Sequence, residues 1–323
     1  MKKLLALVLL VVAGTAVGLW FIQGWNGPGP ARQPTSVVIA SGTSLIEAAR
    51  QLEKAGVVAS ADRFLFQARI FGSGEPIKAG EYEFPAHASH SEILALLQDA
   101  RTLQRLVTVP EGLPSVLVHE RLMKAATLTG DVPVPQEGSV LPNSYSYQRG
   151  EARAAVLKRM QAAMAKTLNE LWPRRNPATA VKTPQEAVIL ASIVEKETAK
   201  ASERRIIAGV YSNRLRQGMK LDADPTVIYP ITRGKPLGRR IKRSELQDDN
   251  GYNTYARAGL PVGPIANPGR ESIAAVLNPA PTKALYFVAS GDGTGGHVFA
   301  NTLAEHNANV AKWFAIRRAR GEM

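Results

Sequence analysis

The stretch Thr183-Pro184-Gln185-Glu186-Ala187-Val188-Ile189-Leu190-Ala191-Ser192-Ile193-Val194-Glu195-Lys196-Glu197-Thr198 concentrates the chemistry this chain can offer. Thr183 can cap a helix, Pro184 suits its first position, and Glu186 completes a capping box, so the start and phase of the helix follow. Residues 187–194 are apolar except for Ser192, which predicts a helix buried nearly all round. Glu195 closes that run, three residues after Ser192 and one heptad after Val188, on the same face. Desolvation favours the protonated form of a carboxyl, and a general acid needs that form near neutral pH. Glu197 falls about 200° round the helix from Glu195. The two are not expected to act on one bond, which leaves Glu195 as the candidate acid/base.

Other polar groups are weaker candidates. Asp224 stands before Pro225 and reads as the N-cap of a short helix. Asn253, Thr254 and Tyr255 fall in a loop between breakers, where polar side chains can line a binding cleft, and Asn267-Pro268-Gly269 reads as a turn. The histidines at 87, 90, 119, 297 and 306 show no chelating spacing supported by a carboxylate. His87 and His90 read as loop surface. Neither a metal nor a cofactor is expected, and no phosphate-binding glycine loop is present. The absence of cysteine excludes disulfides and thiolate metal sites. Lys plus Arg number 40 against 27 acidic residues, a net charge of +13, which favours anionic partners. The densest basic run holds Arg233, Lys235, Arg239, Arg240, Lys242 and Arg243. No aromatic residue interleaves with it, so it reads as a solvated hairpin rather than a nucleic-acid surface.

The elements that position these groups follow from punctuation and periodicity. Lys2 and Lys3 precede an uncharged run from Leu4 to Ile22, and nineteen helical residues span about 28 Å, close to the roughly 30 Å of bilayer hydrocarbon. Trp20, Phe21 and Trp25 would form its aromatic belt. Residues 1–25 are therefore expected to be a cytoplasmic tip and retained membrane anchor, with a cleaved signal peptide as the competing reading. A Gly- and Pro-rich linker at 26–35 follows. Residues 36–109 are expected to fold as a small domain. Val37–Ile39 is a strand, helices start near Leu45 and Phe64 and end at Gly56 and Gly72, Lys78–Phe84 is a strand, and a further helix and strand follow. Residues 110–323 read as the catalytic domain, mostly helical from Val116 to about 220. A strand at Ala284–Ala289 and a last helix at Glu305–Arg317, with Val310, Trp313 and Phe314 on its apolar side, complete it. The expected fold class is α+β.

Two kinds of resemblance attach to these residues. The strand–helix–helix–strand order of residues 36–84 resembles a LysM module, which would bind glycans containing N-acetylglucosamine; a mere spacer is the alternative. Asn213-Arg214-Leu215, Asp224-Pro225-Thr226-Val227-Ile228-Tyr229, Tyr252-Asn253-Thr254-Tyr255, Gly259 to Gly269 and Gly295-Gly296-His297-Val298-Phe299 follow the Glu195 segment in order. Together they resemble the endolytic murein transglycosylase, or YceG-like, family over nearly the whole chain. Two places depart from the family pattern: Asn143-Ser144 stands where Asp-Thr is usual, and Asp249-Asn250-Gly251 precedes Tyr252 where Ser-Pro is common.

The resemblance implies a lyase that cuts the β-1,4 bond between N-acetylmuramic acid and N-acetylglucosamine, leaving a 1,6-anhydro end. It assigns the acid/base role to the glutamate of Ile-Val-Glu-Lys-Glu, here Glu195. One carboxyl serves such a reaction, whereas ordinary glycosidases use two facing ones. Asn253, Thr254, Tyr255, Asp224 and Glu197 are the candidate substrate contacts. The implied partners are peptidoglycan strands, the inner membrane and cell-wall synthases, with no nucleic acid and with the catalytic domain outside the cytoplasm. The rival reading is a non-catalytic wall-binding scaffold. The anchor gives a direct expectation: protease added to spheroplasts degrades the chain beyond about residue 30, the length of a spanning helix plus its linker. A protected body, or a periplasmic form with a new N-terminus near residue 17, is the contrary result.

Overall fold

The computed structural model describes residues 23–99, 103 and 105–322. It divides into two compact units. The described residues up to Arg105, with Ser146–Gly150, form the first, and Leu106–Tyr145 with the chain from Glu151 form the second. The expected spanning run Leu4–Ile22 lies outside the described residues, among which no helix is long and apolar enough to cross a membrane.

In the first unit β1 (Thr35–Ile39) pairs antiparallel with β2 (Gly80–Phe84), Thr35 opposite Phe84 and Ile39 opposite Gly80. Between them run α1 (Leu45–Lys54) and α2 (Ala61–Phe71), and α3 (His90–Asp99) follows. Ser44 and Glu47 form a reciprocal capping box that starts α1. Leu52, Phe64, Tyr82, Phe84, Ile93 and Leu97 are its fully buried centre. Two expectations are corrected here. Trp25 does not stand free as a belt residue but is half-buried, its ring 5.8 Å from that of Phe71. His90 is not loop surface: it begins α3, is buried edge-on to Phe64, and its Nδ1 lies 2.5 Å from Gln67 Oε1.

The second unit contains α4 (Ser115–Lys124), α5 (Arg153–Leu171), α6 (Pro184–Glu197), α7 (Ala201–Arg216), α8 (Asp224–Thr232), α9 (Arg243–Gln247), α10 (Arg270–Leu277) and α11 (Leu303–Ala319). β3 (Arg105–Thr108) pairs with β4 (Ser144–Tyr147). β5 (Tyr286–Ala289) pairs antiparallel with β6 (His297–Ala300). The α+β class of the sequence holds. The chain between α4 and α5 is a strand flanked by loops, less helical than its composition suggests. Phe314 is exposed rather than packed, because α11 lies on the β5–β6 hairpin along a face that leaves it outward. Nor does Asp224 cap α8; Ala223 does, and Asp224 is the first helical residue.

α6 is the axis of the second core. Thr183 Oγ1 accepts from the Glu186 N–H at 3.1 Å, while the Glu186 carboxylate takes the Lys182 N–H instead of the expected Thr183 N–H. Residues 187–194 are all buried and pack against α7 and α10 with Ile207, Tyr211, Ile273 and Val276. Ser192, the polar exception, donates to Ile189 O at 2.7 Å and accepts the Ile265 N–H at 3.0 Å. It thereby ties the loop before α10 to the helix. Asn267 completes that tie and is more than a turn residue. It is fully buried, its amide donates to Leu113 O (2.9 Å), Ser115 Oγ (3.0 Å) and Glu137 Oε1 (3.2 Å), and its oxygen accepts from the Val140 N–H at 3.0 Å. Truncation orphans several buried groups at once. Asn267→Ala is expected to lower unfolding stability by on the order of 3 kcal/mol in urea titration. An unchanged midpoint would show that the loop is held by other bonds.

Candidate active site

The last turn of α6 sends its two carboxylates to opposite surroundings. Glu195 Oε2 accepts the Gly269 N–H at 2.8 Å, and Oε1 lies 3.4 Å from Arg204 Nη2. The same guanidinium meets Glu111 Oε2 at 2.8 Å. The Glu195 side chain is 5% exposed and lines none of the clefts described below. A Cβ at Gly269 would fall 2.1 Å from Glu111 Oε1, so only glycine brings that N–H to Glu195 with Glu111 in place. Glu195 therefore closes a lock between α6, α7 and the loops at 111 and 269.

Glu197 faces the other way, into a cleft of about 650 Å³ whose walls include Tyr211, Arg214, Asp224, Tyr255, Tyr286 and His297. Burial is the main cause that pushes its carboxyl up to about 7. The hydrogen bond from the Tyr211 hydroxyl opposes the shift, the negative charge of Asp224 adds to it, and Arg214 opposes it. A carboxyl that exchanges its proton near neutrality can donate and accept in turn. Around it the polar groups are fixed. Tyr255 donates to Asp224 Oδ1 at 2.7 Å. Arg214 donates to the carbonyls of Leu285 (2.6 Å), Lys220 and Leu221 (both 3.0 Å) and to Asp222 Oδ2 (3.0 Å), and its guanidinium lies 5.1 Å over the Tyr286 ring. His297 gives its backbone N–H to Glu203 at 3.0 Å and holds the same carboxylate through Nδ1 at 2.7 Å. The hydroxyls of Tyr211 and Tyr255 are both pushed above the ordinary tyrosine range, chiefly by burial.

The structure thus brings Glu197, Asp224 and Tyr255 together and leaves Glu195, Asn253 and Thr254 out of the cleft. Asn253 is 2% exposed, and its amide serves the carbonyls of Glu245, Leu246 and Asp248. Thr254 is equally buried, bonded to Thr226 Oγ1 and the Ala223 N–H. Both shape the loop that delivers Tyr255. Tyr211, Arg214, Tyr286 and His297 were not anticipated as cleft residues. Arg214 and His297 stood within motifs already singled out, whereas Tyr211 and Tyr286 gave no signal that separated them from core aromatics. A hollow of about 700 Å³ in the first unit, lined by Gln23, Asn26, Ser60, Arg63 and His90 among others, has no carboxyl on its wall. A groove of about 340 Å³ holds Arg174, Arg204, Arg205 and Glu271. Neither offers a buried acid.

An α+β unit that turns one carboxyl at a helix end into an aromatic-walled cleft defines a candidate acid/base site. The chain belongs to the YceG-like family, whose model matches residues 37–312. It is 29% identical to the endolytic murein transglycosylase of Streptococcus pneumoniae (strain D39) over 331 residues, 87% of this chain and 59% of that protein. It is also 29% identical to the protein of the same name from Bacillus subtilis over 229 residues, 71% of this chain and 59% of that one. The chain thus spans about three-fifths of the length of these curated relatives. The crystal structure of a YceG-like protein from Listeria monocytogenes superposes with a TM-score of 0.52 at 26% identity, covering 86% of this chain and 99% of that one.

The raised carboxyl of Glu197 has a consequence for stability. Its ordinary value is 4.5 and its folded value about 7. Between these the native state keeps a proton that the unfolded chain releases, so stability is greatest below pH 4.5 and falls as pH rises through 7. The loss is on the order of 3 kcal/mol. Glu197→Gln is expected to remove this part of the pH slope and to melt at a higher temperature than wild type at pH 8. Equal slopes in the two proteins would mean that Glu197 ionises in the fold without penalty.

Proposed function

We propose that the chain is an endolytic peptidoglycan lytic transglycosylase whose acid/base is Glu197 rather than Glu195. The observation that carries the reading is the Glu197 carboxyl, half-buried and pushed up to about 7 mainly by desolvation, on the wall of the cleft of the second unit. Glu195 is a poorer candidate because both of its oxygens are already engaged by Gly269 and Arg204. The names of the relatives supply the substrate class. In this reaction Glu197 protonates the glycosidic oxygen between N-acetylmuramic acid and N-acetylglucosamine. The muramic 6-hydroxyl closes on its own anomeric carbon, and the Glu197 carboxylate takes the hydroxyl's proton. The cycle consumes no water and leaves a 1,6-anhydro end. The aromatic cleft wall of Tyr211, Tyr255 and Tyr286 suits the faces of sugar rings.

The rest of the molecule fits the same reading. Residues 1–25 anchor it in the inner membrane with the N-terminus cytoplasmic, and 26–35 link to an extracytoplasmic body. The β-α-α-β unit at 36–109 is a LysM-like domain that holds glycan, and 110–323 cut it. A place at the membrane suits the ending of nascent strands beside cell-wall synthases.

The presence of Asp224 near Glu197 gives one alternative a specific basis, since two facing carboxyls serve hydrolases. Digestion of purified sacculi separates the readings: anhydro ends support the transglycosylase, reducing ends support a hydrolase, and no products support a scaffold. Glu197→Gln is expected to lower anhydro product by at least about 10³-fold with the protein still folded, near the upper range for a general acid/base. Glu195→Gln is expected to retain more activity and to lose stability, because its carboxylate leaves Arg204 and the Gly269 N–H. A dead, stably folded Glu195→Gln beside an active Glu197→Gln would reverse the assignment.

A further inference from the structure

A β-linked muramic residue loses its leaving oxygen from the β face of C1. The 1,6-anhydro bridge that replaces it also lies on the β face. Configuration is retained, which calls for either a shielded cation or two successive inversions. Two inversions need a nucleophile on the α face, and the substrate carries one, the carbonyl oxygen of its 2-acetamido group. That oxygen attacks well only when the acetamido N–H is held by an acceptor that orients the group and takes up its developing positive charge.

Among the described residues Asp224 meets these requirements. It lies on the wall of the Glu197 cleft and is the first residue of α8. Its Oδ1 is pinned by the Tyr255 hydroxyl at 2.7 Å, and no group of the described residues bonds to Oδ2. It stands close enough to Glu197 for its charge to favour the protonated acid. Tyr255 is itself set by the Tyr255 N–H bond to Asn253 Oδ1 at 2.9 Å, and Asn253 is buried. Asp224 is an exposed residue on the cleft wall, and its second carboxylate oxygen has no partner among the described residues.

Given the transglycosylase reading, on which this depends, we infer that Asp224 is a positioning residue that accepts the muramic 2-acetamido N–H and directs its carbonyl oxygen onto C1. In the first step the acetamido C=O forms a bond to C1, the C1–O4 bond breaks, and the Glu197 proton passes to O4. The intermediate is a cyclic oxazolinium whose N–H rests on Asp224. In the second step O6 displaces the acetamido oxygen from C1, and its proton passes to the Glu197 carboxylate. Atoms and charge return to the start, and one acid/base serves both transfers. Tyr255 holds the Asp224 carboxylate in the acceptor orientation.

The test uses the full chain on purified glycan strands, native and chemically de-N-acetylated. On native strands Asp224→Ala is expected to lose about 10²-fold or more in kcat, in the range of a positioned group in proton and charge transfer, with KM changed far less. Tyr255→Phe is expected to lose about tenfold. On de-N-acetylated strands the wild type slows sharply, and Asp224→Ala cuts at nearly the same low rate as wild type, because the group it serves is gone. Melting curves establish that the variants are folded, and Asp224→Asn, which keeps the shape, checks any that are not. The inference is overturned if Asp224→Ala and Asp224→Asn keep near-full activity. It also fails if their losses are equal on native and de-N-acetylated strands, or if a glycosyl adduct on Asp224 itself is trapped by mass analysis. Wild-type products with only reducing ends would instead overturn the transglycosylase reading, leaving these comparisons to a hydrolase.

Discussion

Two glutamates separated by one residue at the end of a buried helix cannot share a surrounding, and the second unit is organised by that constraint. At about 100° per residue, Glu195 and Glu197 diverge by about 200°. One carboxylate joins Arg204, Glu111 and the Gly269 N–H in a lock; the other enters the cleft. The lock has a consequence for the cleft as well. By holding the 265–269 loop and α7 on α6, it fixes the start of α7, the helix that carries Tyr211 and Arg214.

Much of what the family motifs contain serves this positioning. Asn253, Thr254, Ser192 and Asn267 are buried and spend their hydrogen bonds on backbone groups of other segments. A buried backbone polar group left without a partner is costly, so irregular loops close to a core need such stitches. The long stretch between α8 and α10 has little regular structure, and side-chain amides and hydroxyls replace the ladder bonds it lacks. Arg214 does the same from α7, bonding three carbonyls and Asp222 while its guanidinium covers Tyr286.

Placing Glu197 where it is costs stability, because burial opposes its ionisation and Asp224 adds repulsion. The apolar packing of α6 against α7 and α10 offsets that cost. The tension between a stable fold and a strained acid is common where a proton must move at neutral pH. The Tyr211 hydroxyl moderates it, donating to Glu197 from within the same core.

The sequence alone determined the helix that carries the chemistry, its start at Thr183–Pro184, its burial through 187–194 and the divergence of its two acids, because capping and a 3.6-residue period are local properties. It also gave the strand–helix–helix–strand order of the first unit and the α+β class. Which acid faces the cleft was not legible. Periodicity says that Glu195 and Glu197 point apart, yet it does not say which direction leads to solvent-filled space. That depends on α7, which follows directly, and on the β5–β6 hairpin and the loops at 111 and 269, which come from about 70 to 100 residues away. Asn253 and Thr254 meet the same limit: a polar residue between breakers suits a cleft wall and a buried stitch equally well. Only the tertiary structure decides between them, since burial depends on what packs over the loop and Thr254 takes its partners, Ala223 and Thr226, from α8 and its cap.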